Sequence, residues 1–225
     1  HLGFGQSDAP RDASYRPPAH ATRVEALLQS LDLTDLTLVL HDWGGPIGLS
    51  YALRHPDRVR RLVLLNTWAW PLRHRPLVRL FGGLVDTQFG RLLVERGNAF
   101  ARLVMPLTQG KPSLSLPPWI RAYADALDTP TRRHACWTLA RSLIRETAWL
   151  RALWTRRSRL QGRPVLLCWG EADLAFGSPA TLRRWQTLFP NAATQRWPGV
   201  GHYVPEEAGP ALPARVRSFL RSTDP

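Results

Sequence analysis

Leu38-Val39-Leu40-His41-Asp42-Trp43-Gly44-Gly45-Pro46-Ile47-Gly48 is the stretch on which the fold turns. A short apolar run ends in an aspartate, a tryptophan and two glycines, and a helical pattern then runs from Gly44 to Arg54 until His55-Pro56 stops it. Asp42 therefore sits where a strand turns into a helix. A side chain on such a turn stands clear of the sheet, near free backbone N–H groups and the positive end of a helix dipole. The turn is expected to be too tight for bulk, hence Gly44 and Gly45.

The same alternation extends in both directions. Residues 21–31 carry Val24, Leu27, Leu28 and Leu31 at i, i+3, i+4 and i+7, and Thr22 with Glu25 has capping-box spacing, which predicts an amphipathic helix. Leu36–Leu40 reads as a fully buried strand, Val59–Leu65 as a second and Pro164–Trp169 as a third. Ser178–Phe189 reads as a helix with Ser178 at the N-cap and Pro179 at the first position. A short run at Thr194–Trp197 and a last helix over 206–220 complete the pattern. Strands alternating with helices predict an α/β fold, a mostly parallel sheet with helices on both faces. Between Pro71 and Arg157 the strand signal vanishes. That stretch is rich in arginine, tryptophan and leucine and is broken by Pro106, Pro112, Pro117-Pro118 and Pro130. It predicts a helical cap over 71–157, with residues 1–70 and 158–225 forming the core. A cap over the carboxyl ends of strands shapes a pocket and excludes water.

Composition narrows the function classes. With 225 residues, 44% hydrophobic content and ten tryptophans, the chain can bury a sizeable core. No run of about 18 apolar residues exists, so no membrane partner is expected. The formal charge is +13, yet Lys111 is the sole lysine and the arginines spread from Arg11 to Arg221 without a run of five. That pattern resembles codon bias more than a polyanion footprint, and no nucleic-acid partner is expected. Cys136 and Cys168 offer neither a metal spacing nor a disulfide framework, which points to a reducing, cytoplasmic setting. The chain starts at His1 and its only methionine is Met105, so it is expected to be a piece of a longer protein.

The chemistry follows from Asp42. An aspartate at this turn attacks carbon directly and becomes an ester of itself, and release of that ester needs an activated water. His202, in Gly199-Val200-Gly201-His202-Tyr203, is the candidate base. Asp173, in Trp169-Gly170-Glu171-Ala172-Asp173, is the candidate that orients its imidazole, with Glu171 as competitor. Gly48-Leu49-Ser50-Tyr51-Ala52 imitates a serine turn but falls inside the helix, and Gly3-Phe4-Gly5 is too little for a dinucleotide site.

At these residues the chain resembles the haloalkane dehalogenases, an α/β-hydrolase family with the order nucleophile, acid, histidine. The resemblance rests on Leu2-Gly3-Phe4-Gly5-Gln6-Ser7-Asp8, His41 to Gly48, His55-Pro56-Asp57-Arg58-Val59, Leu64-Leu65-Asn66-Thr67-Trp68, Trp169 to Asp173, and Gly201-His202. Asn66-Thr67-Trp68-Ala69-Trp70 with Asp173 is most similar to the subfamily usually numbered third. The resemblance implies that Asp42 displaces halide from an alkyl carbon and that His202 with Asp173 activates water to release the alcohol. It gives Trp43 a halide contact through its indole and an oxyanion contact through its backbone N–H. Trp68, Trp70 and Tyr123 are the candidate pocket residues. The implied partners are a small apolar halogenated substrate and water, with no metal or organic cofactor.

An epoxide hydrolase uses the same triad but usually adds two lid tyrosines as acids, and the predicted cap has Tyr123 alone. An inactive hydrolase-like binding protein is the alternative from another class. The family also carries a His-Gly-x-Pro segment, whose x residue supplies the second halide and oxyanion contact, and four earlier strands, none of which occur in this chain. These 225 residues expressed alone are therefore expected to expose a hydrophobic edge at Leu36–Leu40 and to aggregate or be inactive.

Overall fold

A computed structural model describes residues 1–112 and 116–224 of the chain. Its centre is a parallel four-stranded sheet in the order β1 (Leu36–Asp42), β2 (Val59–Thr67), β3 (Val165–Gly170) and β4 (Ala193–Trp197). Leu38 pairs with Leu62, Leu64 with Leu167, and Leu167 with Thr194. Because side chains alternate along a strand, β2 and β3 feed two separate cores. Leu62 and Leu64, with Val165 and Leu167, face a large cluster that includes Leu49 and Leu53 of α2 (Gly44–Arg54) and Leu182 and Trp185 of α9 (Pro179–Leu188). Val63 and Leu65, with Leu166 and Cys168, face Leu212 and Phe219 of α11 (Ala211–Ser222). Both strands are buried on both sides, as continuous apolar runs require.

Three local expectations are corrected. β1 is not the fully buried strand its apolar run suggests but the exposed edge that the resemblance predicts: only its Leu40 is buried, and Val39 is 55% exposed. An apolar run encodes a strand with two covered faces, but it carries no information about which strand ends the sheet. The first helix, α1 (Pro17–Ser30), starts at Pro17, and Thr22 lies inside it with its hydroxyl on the Pro18 carbonyl at 3.2 Å. Proline at the first position, with its preset φ, displaces the capping box as the start. The last helix is two: α10 (Val204–Glu207) and α11 are separated at Gly209, whose φ is +51°. The Ser178 cap stands as read, its hydroxyl accepting from the Thr181 N–H.

Residues between β2 and β3 form α3 (Pro76–Val85), α4 (Gln88–Gly97), α5 (Met105–Thr108), α6 (Pro118–Ala126), α7 (Pro130–Arg145) and α8 (Thr147–Thr155). α7 is the spine of this insertion. Gly82 lets α3 close on Ile144, since a Cβ there would come within 2.7 Å of that side chain. The Trp137 indole donates to the Val85 carbonyl at 2.8 Å, and Asp86 pairs with Arg141 and Arg145. A second cluster, Ala101, Met105, Ile120, Ala124, Leu127 and Cys136, packs on Tyr203 and so ties the insertion to the loop after β4.

Candidate active site

Asp42 ends β1 with φ +46°, a conformation that costs a non-glycine residue energy and persists only where the surroundings enforce it. The enforcement is visible. Thr67 Oγ1 donates to the Asp42 carbonyl at 2.6 Å, and α2 presses onto the sheet just beyond. A Cβ on Gly45 would lie 1.8 Å from Thr67 Oγ1, and one on Gly48 would lie 2.3 Å from Leu40 Cδ2. Gly44 has open space around it, so the glycine requirement falls on Gly45 and Gly48 rather than on Gly44.

The structure brings the three predicted polar residues together. His202 Nδ1 lies 3.0 Å from Asp173 Oδ2, and His202 Nε2 lies 3.7 Å from Asp42 Oδ1. Burial opposes charge on the imidazole, but Asp173, through its charge and hydrogen bond, and Asp42 outweigh it and raise the His202 pKa to about 9. Burial would raise the Asp173 carboxyl; the charge of His202 and hydrogen bonds from His202, Asn66 and the Ala175 N–H overcome that and hold it below its ordinary value. Glu171 instead pairs with exposed Arg196 and does not reach the imidazole position.

Several residues with no predicted role hold this geometry. Asn66, buried at φ +29°, donates from Nδ2 to both Asp173 Oδ2 and the Gly170 carbonyl at 2.8 Å, and accepts the Gly170 N–H at 2.7 Å. His41 donates from Nε2 to the His202 carbonyl at 2.8 Å; burial and the neighbouring His202 charge keep it neutral, with its pKa down to about 4. The Glu207 carboxylate accepts the N–H groups of Gly110 at 2.6 Å, Gly201 at 3.0 Å and Tyr203 at 3.0 Å. The His202 N–H donates to the Thr108 carbonyl at 3.0 Å. Gly201 and Gly110 make that approach possible, because a Cβ on Gly201 would sit 2.2 Å from the Gly110 nitrogen. Asn66 and His41 stood in the quoted motifs, and the one further sequence signal for Asn66 was asparagine's tolerance of positive φ at the end of a strand.

Aromatic rings wall the site. Trp43 meets Trp68 edge to face with centroids 4.8 Å apart, Trp68 stacks on Phe176 at 4.3 Å, and Phe176 lies 5.8 Å from the His202 ring. Trp68 Nε1 is buried without a hydrogen-bond partner. Cys136 of α7 stands near enough for burial and the Asp42 charge to push its thiol up to about 12. Trp70 belongs elsewhere, packed on Trp154 and Trp185 under the Arg184 guanidinium. Tyr123 is 44% exposed and donates to Glu206 at 3.0 Å. Among the described residues no group of three or more His, Cys, Asp or Glu side chains could hold a metal ion.

Comparison with known proteins places the chain in a family. A family model for the alpha/beta hydrolase fold matches residues 1–208. A cis-3-alkyl-4-alkyloxetan-2-one decarboxylase of Shewanella oneidensis is 30% identical, over 100% of this chain and 73% of its own length. A haloalkane dehalogenase of Mycobacterium marinum is 30% identical, over 97% of this chain and 72% of its own. A crystal structure of a single-residue variant of the haloalkane dehalogenase DatA from Agrobacterium tumefaciens superposes with a TM-score of 0.84 at 26% identity, covering 98% of this chain and 78% of that one. The chain belongs to the alpha/beta hydrolase fold family and is a haloalkane dehalogenase-like hydrolase.

Proposed function

We propose that this protein hydrolyses small haloalkanes to alcohol and halide, with Asp42 as nucleophile, His202 as base and Asp173 as the acid that orients it. What carries the reading is the Asp42 carboxylate on a positive-φ turn, 3.7 Å from a histidine whose other nitrogen is 3.0 Å from a buried carboxylate. An Asp42 oxygen attacks the carbon bearing the halogen, the carbon–halogen bond breaks, and halide leaves as the alkyl ester forms. Water then attacks the ester carbonyl, giving its proton to His202 and releasing the alcohol.

The electrostatics fit this order of events. Before attack, Asp42 and Asp173 keep His202 as an imidazolium, with a pKa of about 9. Ester formation removes the Asp42 charge and with it one of the contributions that raise the imidazole, which moves His202 toward acting as a base while Asp173 continues to hold it. Trp43, with its indole against the pocket wall, is the halide and oxyanion contact in this reading, and Trp68 is wall. Residues 71–157 act as the cap over a core of 1–70 and 158–225. Two free, buried cysteines fit a cytoplasmic setting.

A second reading rests on the Shewanella oneidensis decarboxylase, which aligns over the entire chain. An oxetan-2-one ring carbon presents Asp42 with the same polarity, its leaving group a carboxylate instead of halide. Loss of carbon dioxide with expulsion of the Asp42 carboxylate would then give an alkene without water. Tyr123, exposed and bonded to Glu206, disfavours epoxide opening.

The test offers the full-length gene product a bromoalkane and a cis-dialkyl oxetan-2-one separately. Bromide and alcohol from the first, lost in Asp42→Asn, support the dehalogenase. Alkene and carbon dioxide from the second, with no bromide from the first, overturn it in favour of the decarboxylase.

A further inference from the structure

The α3–α4 hairpin leaves an apolar face uncovered. Val78, Gly82 and Val85 of α3, and Gly90 and Val94 of α4, are buried. The opposite sides leave Leu77 at 67%, Leu80 at 73%, Leu84 at 54%, Phe89 at 62% and Leu92 at 55% exposed. Leu77, Leu80 and Leu84 follow helical spacing, so they form one stripe along α3. Single exposed leucines are ordinary; five large apolar side chains within two consecutive helices, each more than half bare, are not.

The same segment carries exposed cations: Arg73 just before α3, Arg79 within it, Arg96 in the last turn of α4 and Arg102 five residues beyond α4. The acids of the segment, Asp86 and Glu95, are both engaged, Asp86 with Arg141 and Arg145 and Glu95 with Arg91 and His134. No helix among the described residues is long and apolar enough to cross a membrane, a criterion blind to a surface of this kind. Leucine and phenylalanine in one segment with arginine suit the boundary between acyl chains and phosphates.

We propose that the α3–α4 hairpin seats the protein on an anionic lipid surface, Leu77, Leu80, Leu84, Phe89 and Leu92 entering the acyl boundary and the arginines of the segment meeting lipid phosphates. A second copy is the weaker occupant: the same arginines would face each other on a chain of formal charge +13. The proposal does not depend on the identity of the reaction.

Sedimentation of the full-length protein with vesicles tests it, using phosphatidylcholine alone and an equal mixture with phosphatidylglycerol. The mixed vesicles should bind the protein about tenfold more tightly than the neutral ones, and a Leu77→Gln, Leu80→Gln, Leu84→Gln variant should lose about tenfold of that binding. The variant's melting curve and turnover of a water-soluble substrate should stay unchanged. Binding equal in the variant would show that the arginines act alone and overturn the proposal. So would wild-type protein that ignores the mixed vesicles, or an oligomer that the triple substitution converts to monomer without any vesicle binding.

Discussion

Asn66 spans the gap between two strands' ends, holding the Asp173 carboxylate by Nδ2 at 2.8 Å while clasping both backbone groups of Gly170. It is fully buried, so its loss leaves Asp173 with one fewer donor and the Gly170 groups unpaired. Asn66→Ala is expected to lower kcat about 10–100-fold with a much smaller change in KM, because it misplaces the acid that aims His202. An equal loss in both parameters would make Asn66 a general structural residue instead.

The two proposed half-reactions separate by substitution. Asp42→Asn should abolish turnover, and mass spectrometry after incubation with a bromoalkane should find no adduct. His202→Ala should also stop turnover, but with the alkyl ester on Asp42 accumulating as a mass increase. An unmodified His202→Ala protein would mean that His202 acts before or during the first step.

Glu207 binds the N–H groups on either side of His202, so Glu207→Ala should loosen the base without touching Asp42. The expected result is slow ester hydrolysis with a normal burst of halide release, seen in rapid-quench kinetics, and partial recovery in Glu207→Gln. Loss of the burst would refute a role confined to His202.

Stability should depend on pH through the same histidine. Its folded pKa, about 9, lies above the ordinary 6.5, so its contribution is complete below 6.5 and is lost as pH rises through 9. Melting temperature should fall on the order of 5 °C or more across that window, and Asp173→Asn should flatten the fall. Asp173, held below its ordinary value, acts with the opposite sign and contributes only until acid protonates it.

Gly45→Ala should cost about 2 kcal/mol or more by urea denaturation, since its Cβ would meet Thr67 Oγ1 at 1.8 Å. Gly44→Ala, with nothing within 4 Å, should be tolerated.

The order of elements was legible because β2 and β3 are covered on both faces and leave unbroken apolar runs, and because Ser178-Pro179 marks the start of α9. The edge position of β1 was anticipated only through the family resemblance, since pairing partners leave no trace in a strand's own residues. Asp42, Asp173 and His202 could be chosen because each follows a strand or a strand-like run. Asn66, His41 and Glu207 escaped: they act on backbone groups brought close only by the fold, such as Gly110 and Gly201, which are far apart in sequence. Trp70 was grouped with Trp68 by proximity in the chain, but neighbours two residues apart beyond a strand end need not share surroundings. The uncovered side of α3 was equally hidden, as a leucine stripe reads the same whether it faces a core or a bilayer.

One contact couples the insertion to the proposed base. The His202 N–H is held by the carbonyl of Thr108, at the end of α5, and the glycines that allow the approach leave no slack between the two loops. The insertion and the base thus share one point of contact. Were the insertion to swing outward to admit or release a molecule, it would drag the imidazole out of line, and water could not be activated until the site had shut again.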